Sequence, residues 1–116
     1  MTEPFDIMEL RANIGVEPEI EHLLLSTFME SCQQSLDWLR GEFPFEENEA
    51  YDLAWKKHMH QIKGAAMNIS ASALQEAAKE GQDSYQKPLA ERKVVLANVT
   101  AKFDEVRDFI KQNGLA

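Results

Sequence analysis

Residues 47–69 read ENEAYDLAWKKHMHQIKGAAMNI, and this stretch decides which kind of fold the chain can adopt. It holds no proline and one glycine, and its bulky residues Tyr51, Trp55, Met59, Ile62, Ala66 and Ile69 step by three or four. Such a step returns to the same side of an α-helix at every turn, so the stretch predicts a helix with one core-facing stripe. Glu46, Glu47 and Glu49 stand at its start, where the positive end of the helix dipole favours acidic side chains.

The same period extends outward in both directions. Upstream, Pro18 suits a first helical turn, and Ile20, Leu24, Phe28, Ser31, Ser35 and Leu39 mark the face of a long helix over 18–40 that Gly41 and Pro44 close. A shorter helix over 6–14 precedes Gly15. Downstream, Ser70 is read as the N-cap of a helix over 71–84 with Leu74, Ala77, Ala78 and Gly81 on one side. Pro88 opens the last helix, where Leu89, Leu96, Val99, Phe103, Val106 and Ile110 follow a near-heptad pattern and Gly114 supplies the stop. No segment alternates as a strand of similar length does. The expectation is an all-α fold: an antiparallel four-helix bundle with a short additional N-terminal helix, in one domain over 1–116.

Twelve basic residues against twenty acidic ones leave a formal net charge of −8. A protein that tracks phosphate backbones needs positive surface to displace counterions, so no nucleic acid partner is expected, and the same balance disfavours a membrane surface. The longest apolar runs, such as 94–97, fall far short of the ~18 residues of a membrane span. Glu3, Asp6 and Glu9 near the start do not make a secretory leader, and the one cysteine excludes an internal disulfide. A cytoplasmic monomer is the expectation these features leave.

The functional signal lies opposite the core stripe of the 47–69 helix. Taking His60 as origin at about 100° per residue, Ile62, Ile69 and Tyr51 fall about 180 to 200° away, while Leu53, Lys56, Lys63, Gly64 and Met67 fall within roughly 60° of it. His60 therefore faces solvent on a strip that combines cations, a glycine and apolar residues, as a docking surface does. Residues 53–75 contain no Asp or Glu but three Lys, leaving nine of the twelve basic residues and all twenty acidic ones to the rest of the chain. A phosphoryl group arriving at the imidazole would meet Lys63 one turn away, and positioning with charge stabilisation is most of what phosphoryl transfer asks of a protein. Gly64, in mid-helix, costs about 1 kcal/mol relative to Ala, which suggests that a side chain there would obstruct a partner.

His60-Gln61-Ile62-Lys63-Gly64-Ala65-Ala66-Met67-Asn68-Ile69-Ser70-Ala71 resembles the H-x-x-K-G-[SA]-[AS]-x-x-[LI]-G-A signature of histidine-containing phosphotransfer (HPt) domains. The resemblance extends to Phe5-Asp6, to the element from Leu10 to Gly15 leading into Pro18-Glu19-Ile20, and to the long final helix. It implies that His60 accepts a phosphoryl group from an aspartyl phosphate of a receiver domain and passes it to another receiver, in response regulators or hybrid histidine kinases. It further implies that Lys63 steadies the phosphoryl oxygens, that Gly64 permits docking, and that Gln82 on the next helix hydrogen-bonds the second ring nitrogen. Two departures stand out. Ser70 replaces the usual glycine, where a serine cap is expected to serve as well, and Gly81-Gln82 replaces an apolar-acidic pair, so Gly81 is expected to fray or shorten the fourth helix.

Other titratable residues carry plainer expectations. His58 lies about 200° round the helix from His60, toward the core, and reads as a semi-buried, hydrogen-bonded side chain; the separation prevents the two from chelating one metal. His22 has no evident ligand partner, and Cys32 beside an apolar stripe reads as a packed, inert thiol. No metal and no cofactor is expected: there is no G-x-x-x-x-G-K-[ST], no glycine-rich nucleotide lid and no acidic Mg²⁺ cluster near His60, so Mg²⁺ would belong to the receiver. The alternative to a phosphoryl carrier is a non-catalytic helical adaptor that binds receiver or kinase domains through the same face.

Overall fold

The computed structural model describes residues 4–15, 17–41, 44, 46 and 48–116. They form five helices, α1 (Ile7–Ile14), α2 (Pro18–Gly41), α3 (Glu49–Asn68), α4 (Ser72–Asp83) and α5 (Leu89–Gln112), and no strand among the described residues. Local chemistry sets the ends. The Asp6 carboxylate accepts the Met8 and Glu9 N–H groups at 3.0 and 3.1 Å, and Asn48 Oδ1 accepts the Tyr51 N–H at 2.7 Å, each filling donors that a helix start leaves open. The expected start of the third helix at Glu47 lies outside the described residues.

Successive helices run antiparallel, as their contacts show. Trp38 late in α2 stacks on Tyr51 early in α3, with ring centroids 5.6 Å apart, whereas Leu24 and Ile69 line one groove at the other end. Trp55 early in α3 donates its indole N–H to the Gly81 carbonyl late in α4 at 2.7 Å. α5 packs against both α4 and α2 and closes the ring, while α1 lies on α2. Trp55, Met59, Ile62, Leu74, Phe103 and Ile110 fill the centre, and an edge-on Phe5–Phe109 pair at 5.1 Å fastens the N-terminal segment to α5. Burying an aromatic or a large aliphatic side chain contributes about 1.5–3 kcal/mol, so this shared interior holds the bundle.

The five stripe residues of α3 and Ile69 just after it are buried, and so are Leu74, Ala77, Ala78 and Gly81 of α4. The α2 face is rotated by about one residue from the expected one. Ile20 and Ser31 are exposed and Leu24 is half-buried, while Glu21, Leu25, Cys32 and Leu36 join Phe28, Ser35 and Leu39 inside. Leu23, Leu24 and Leu25 are adjacent, so the apolar pattern alone allows more than one phase. In the phase adopted, Arg11 on α1 answers the buried Glu21: its Nε and Nη2 donate to both carboxylate oxygens at 3.0 and 3.1 Å. Burial pushes the Cys32 thiol up to about 12, as befits a packed, unreactive side chain.

Two expectations about the α3–α4 connection and α4 are corrected. Ser70 does not cap α4, whose N-cap is Ala71 with no side-chain bond. It ends α3 instead, at φ 59°, with Ser70 N–H on the Met67 carbonyl at 3.2 Å and Ala71 N–H on the Ala66 carbonyl at 2.9 Å. That pair of bonds is a Schellman motif, which wants a left-handed residue and favours glycine. Gly114 ends α5 in the same way, at φ 63°. Gly81 neither frays nor shortens α4, which continues to Asp83; a Cβ built at Gly81 would stand 2.5 Å from Met59 Sδ. The glycine lets α4 approach α3 closely.

Candidate phosphoacceptor site

His60 lies in the middle of α3 and is exposed, on the side of the helix away from Ile62 and Ile69. Its Nδ1 is 3.4 Å from Gln82 Oε1 on α4, a long hydrogen bond. An amide oxygen only accepts, so this contact is a hydrogen bond in the tautomer that carries the proton on Nδ1 and leaves the lone pair on Nε2. The close approach of α3 and α4 at Gly81 is what brings Gln82, one residue on, within reach.

The remaining strip residues surround this histidine. Lys63 is half-buried one turn on and forms no ion pair with a described residue. Lys56 is exposed, with Nζ 4.6 Å from the centre of the Tyr85 ring, a cation–π contact that ties it to the turn after α4. Leu53 and Met67 are 55% and 54% exposed, two large apolar side chains on a polar surface. A Cβ added at Gly64 would meet no atom within 4 Å, so close packing does not account for this glycine.

A groove of about 670 Å³ opens beside His60 between α2 and α3. Phe28 and Ile69 line it together with hydroxyls and amides such as Thr27, Gln34 and Asn68, and no lining residue is Lys, Arg, Asp or Glu. Its α2 wall combines Leu24, Phe28, Ser31 and Ser35 of the expected α2 face with Thr27, Gln34 and Trp38, which the sequence did not mark. His58 lies on this side, half-buried and stacked on Trp38 at 4.5 Å, with Nδ1 3.2 Å from Ser35 Oγ. Ser35 Oγ in turn donates to Gln61 Oε1 at 3.1 Å, which leaves His58 Nδ1–H as the donor to Ser35. Desolvation first, then the Lys57 charge, holds the His58 ring below the usual histidine range, against a hydrogen bond to Gln61 that raises it.

His22 is exposed, and no group of three or more His, Cys, Asp or Glu among the described residues is placed to hold a metal ion. No helix among them is long and apolar enough to cross a membrane.

The chain is thus a helical bundle with an exposed mid-helix histidine, followed one turn on by a lysine and a glycine. The model of the Hpt domain family matches residues 23–112, and the chain belongs to that family. Comparison with curated proteins and with solved structures gave no match. Membership carries a histidine phosphotransfer role in phosphorelays, where Hpt domains interact with receiver domains and kinases.

Proposed function

We propose that His60 is the phosphoacceptor and that the chain relays phosphoryl groups between receiver-domain aspartates. The observation that carries this reading is the Gln82 amide oxygen at Nδ1, which leaves Nε2 of an exposed ring as the nucleophile. Nε2 attacks the phosphorus of a receiver's aspartyl phosphate; the N–P bond forms, the P–O bond to aspartate breaks, and the carboxylate leaves. The Nδ1 proton stays on the ring, shared with Gln82. The second transfer reverses these events at another receiver. Lys63, one turn from His60, offsets charge on the phosphoryl oxygens. Gly64 leaves the approach clear, while Leu53, Lys56 and Met67 make contact with the docked receiver.

His60→Gln tests this directly. The variant is expected to keep its helicity, because an exposed residue contributes little to stability, and to accept no label from a phosphorylated receiver. The wild-type product is expected to be acid-labile and base-stable, as a phosphoramidate is. Label retained in His60→Gln overturns the assignment. An unlabelled wild-type protein that still binds receivers is the adaptor.

A further inference from the structure

Arg92 of α5 is a fully buried arginine in the interior. Its side chain is 0% exposed, yet only Nη1 is satisfied, donating to Asp52 Oδ1 at 2.7 Å and to the Tyr85 carbonyl at 2.9 Å. Nε and Nη2 have no hydrogen-bond partner among the described residues. The Tyr51 and Trp55 rings lie 5.7 Å from the guanidinium carbon and recover part of the loss. Position 92 falls in the apolar register of α5, between Leu89 and Leu96, where Leu or Met would continue the core without that penalty. What the guanidinium adds over an apolar side chain is the pair of bonds made by Nη1.

The bonds it makes lead to the reacting histidine. Asp52 is on α3, the helix that carries His60, and Tyr85 is in the turn that follows α4. Arg92 therefore clamps that turn to α3. The Tyr85 N–H donates to the Gln82 carbonyl at 3.4 Å, and the Gln82 side chain meets His60 Nδ1 at 3.4 Å. Both of these bonds are long; the Trp55 indole holds Gly81 at 2.7 Å on one side of Gln82, and Arg92 holds Tyr85 at 2.9 Å on the other. We infer that Arg92 is a positioning residue for phosphoryl acceptance: by joining Tyr85 to Asp52 it keeps Gln82 where its amide oxygen holds the His60 proton on Nδ1. The inference rests on His60 being the phosphoacceptor, and the experiment separates the two.

The full chain is compared as wild type, Gln82→Ala, Asp52→Asn/Arg92→Met, and all three substitutions together. The paired change removes both charges, so no uncompensated carboxylate is left behind. Two readouts are taken: the ring tautomer of His60 by ¹⁵N NMR, and the rate at which phosphoramidate, a direct phosphodonor that loses ammonia, phosphorylates His60. Gln82→Ala is expected to move the ring proton toward Nε2 and slow phosphorylation about tenfold, the usual scale for losing an orienting partner. Asp52→Asn/Arg92→Met is expected to do the same with Gln82 still present, and the triple variant to lose no more than Gln82→Ala alone. A wild-type tautomer and rate in Asp52→Asn/Arg92→Met overturns the inference, as does an additive loss in the triple variant. Should the paired variant lose helicity, Arg92→Lys, a shorter cation able to answer Asp52 but too short to reach Tyr85 as well, is judged by the same two readouts. Label that persists in His60→Gln sinks the phosphoacceptor reading instead, whatever Arg92 does.

Discussion

Ser70 adopts φ 59°, a region that costs a residue with a Cβ roughly 1–2 kcal/mol and costs glycine little. Ser70→Gly is therefore expected to stabilise the protein by about 1 kcal/mol, a rise of about 4 °C in Tm by calorimetry. An unchanged or lower Tm shows that the left-handed turn carries no strain. His58 supplies a pH dependence. Burial and Lys57 depress its folded value, so as pH falls below the ~6.5 of a free histidine the unfolded chain takes up a proton before the folded one does. Its contribution is thus fully present above that value and is lost as pH falls toward the folded one. His58→Gln is expected to lose less Tm than wild type between about pH 7 and about pH 5, and equal losses would remove His58 from the account.

At the scale of the helix, Gly64 and Gly81 look alike in the sequence and differ in what surrounds them. Both forgo about 1 kcal/mol of helix propensity relative to Ala. Gly64 faces open space, so Gly64→Ala is expected to recover that amount in denaturant unfolding, while Gly64→Leu folds but slows transfer from a receiver. Gly81→Ala drives its methyl against Met59 Sδ in the core, and overpacking of about 1–3 kcal/mol outweighs the propensity gain. It is expected to destabilise. Opposite signs at the two sites are the test; a stabilised Gly81→Ala would mean that the flexible end of Met59 gives way at little cost.

Across the whole molecule, the net charge of −8 is unevenly spread, because residues 53–75 hold three Lys and no acid. An acidic partner is attracted to the His60 face and repelled from the rest, which raises the encounter rate and is screened by salt. Label transfer from a phosphorylated receiver is therefore expected to slow as ionic strength rises from about 0.01 M to about 0.15 M, and Lys56→Gln/Lys63→Gln to flatten that dependence. A wild-type rate indifferent to salt argues that docking is carried by Leu53, Met67 and the uncharged groove alone.

Helix number, the α3 stripe and the outward face of His60 were legible from residue order, because a period of 3.6 is a local property that a strongly patterned segment such as 47–69 expresses without help from its neighbours. The H-x-x-K-G resemblance was legible for the same reason: its residues lie within two turns of one helix. What the tertiary structure decided depends on residues far apart in the chain. The burial of Glu21 in α2 goes with Arg11 reaching it from α1, the tolerance of Gly81 with Met59 packing above it, and the handedness of Ser70 with the path from α3 into α4. Arg92 offered one faint signal, its place in the heptad of α5, but its partners Asp52 and Tyr85 lie on α3 and in the turn before α5. Buried polar groups choose partners across the fold, where desolvation makes an unmet bond expensive, and no periodicity records that choice.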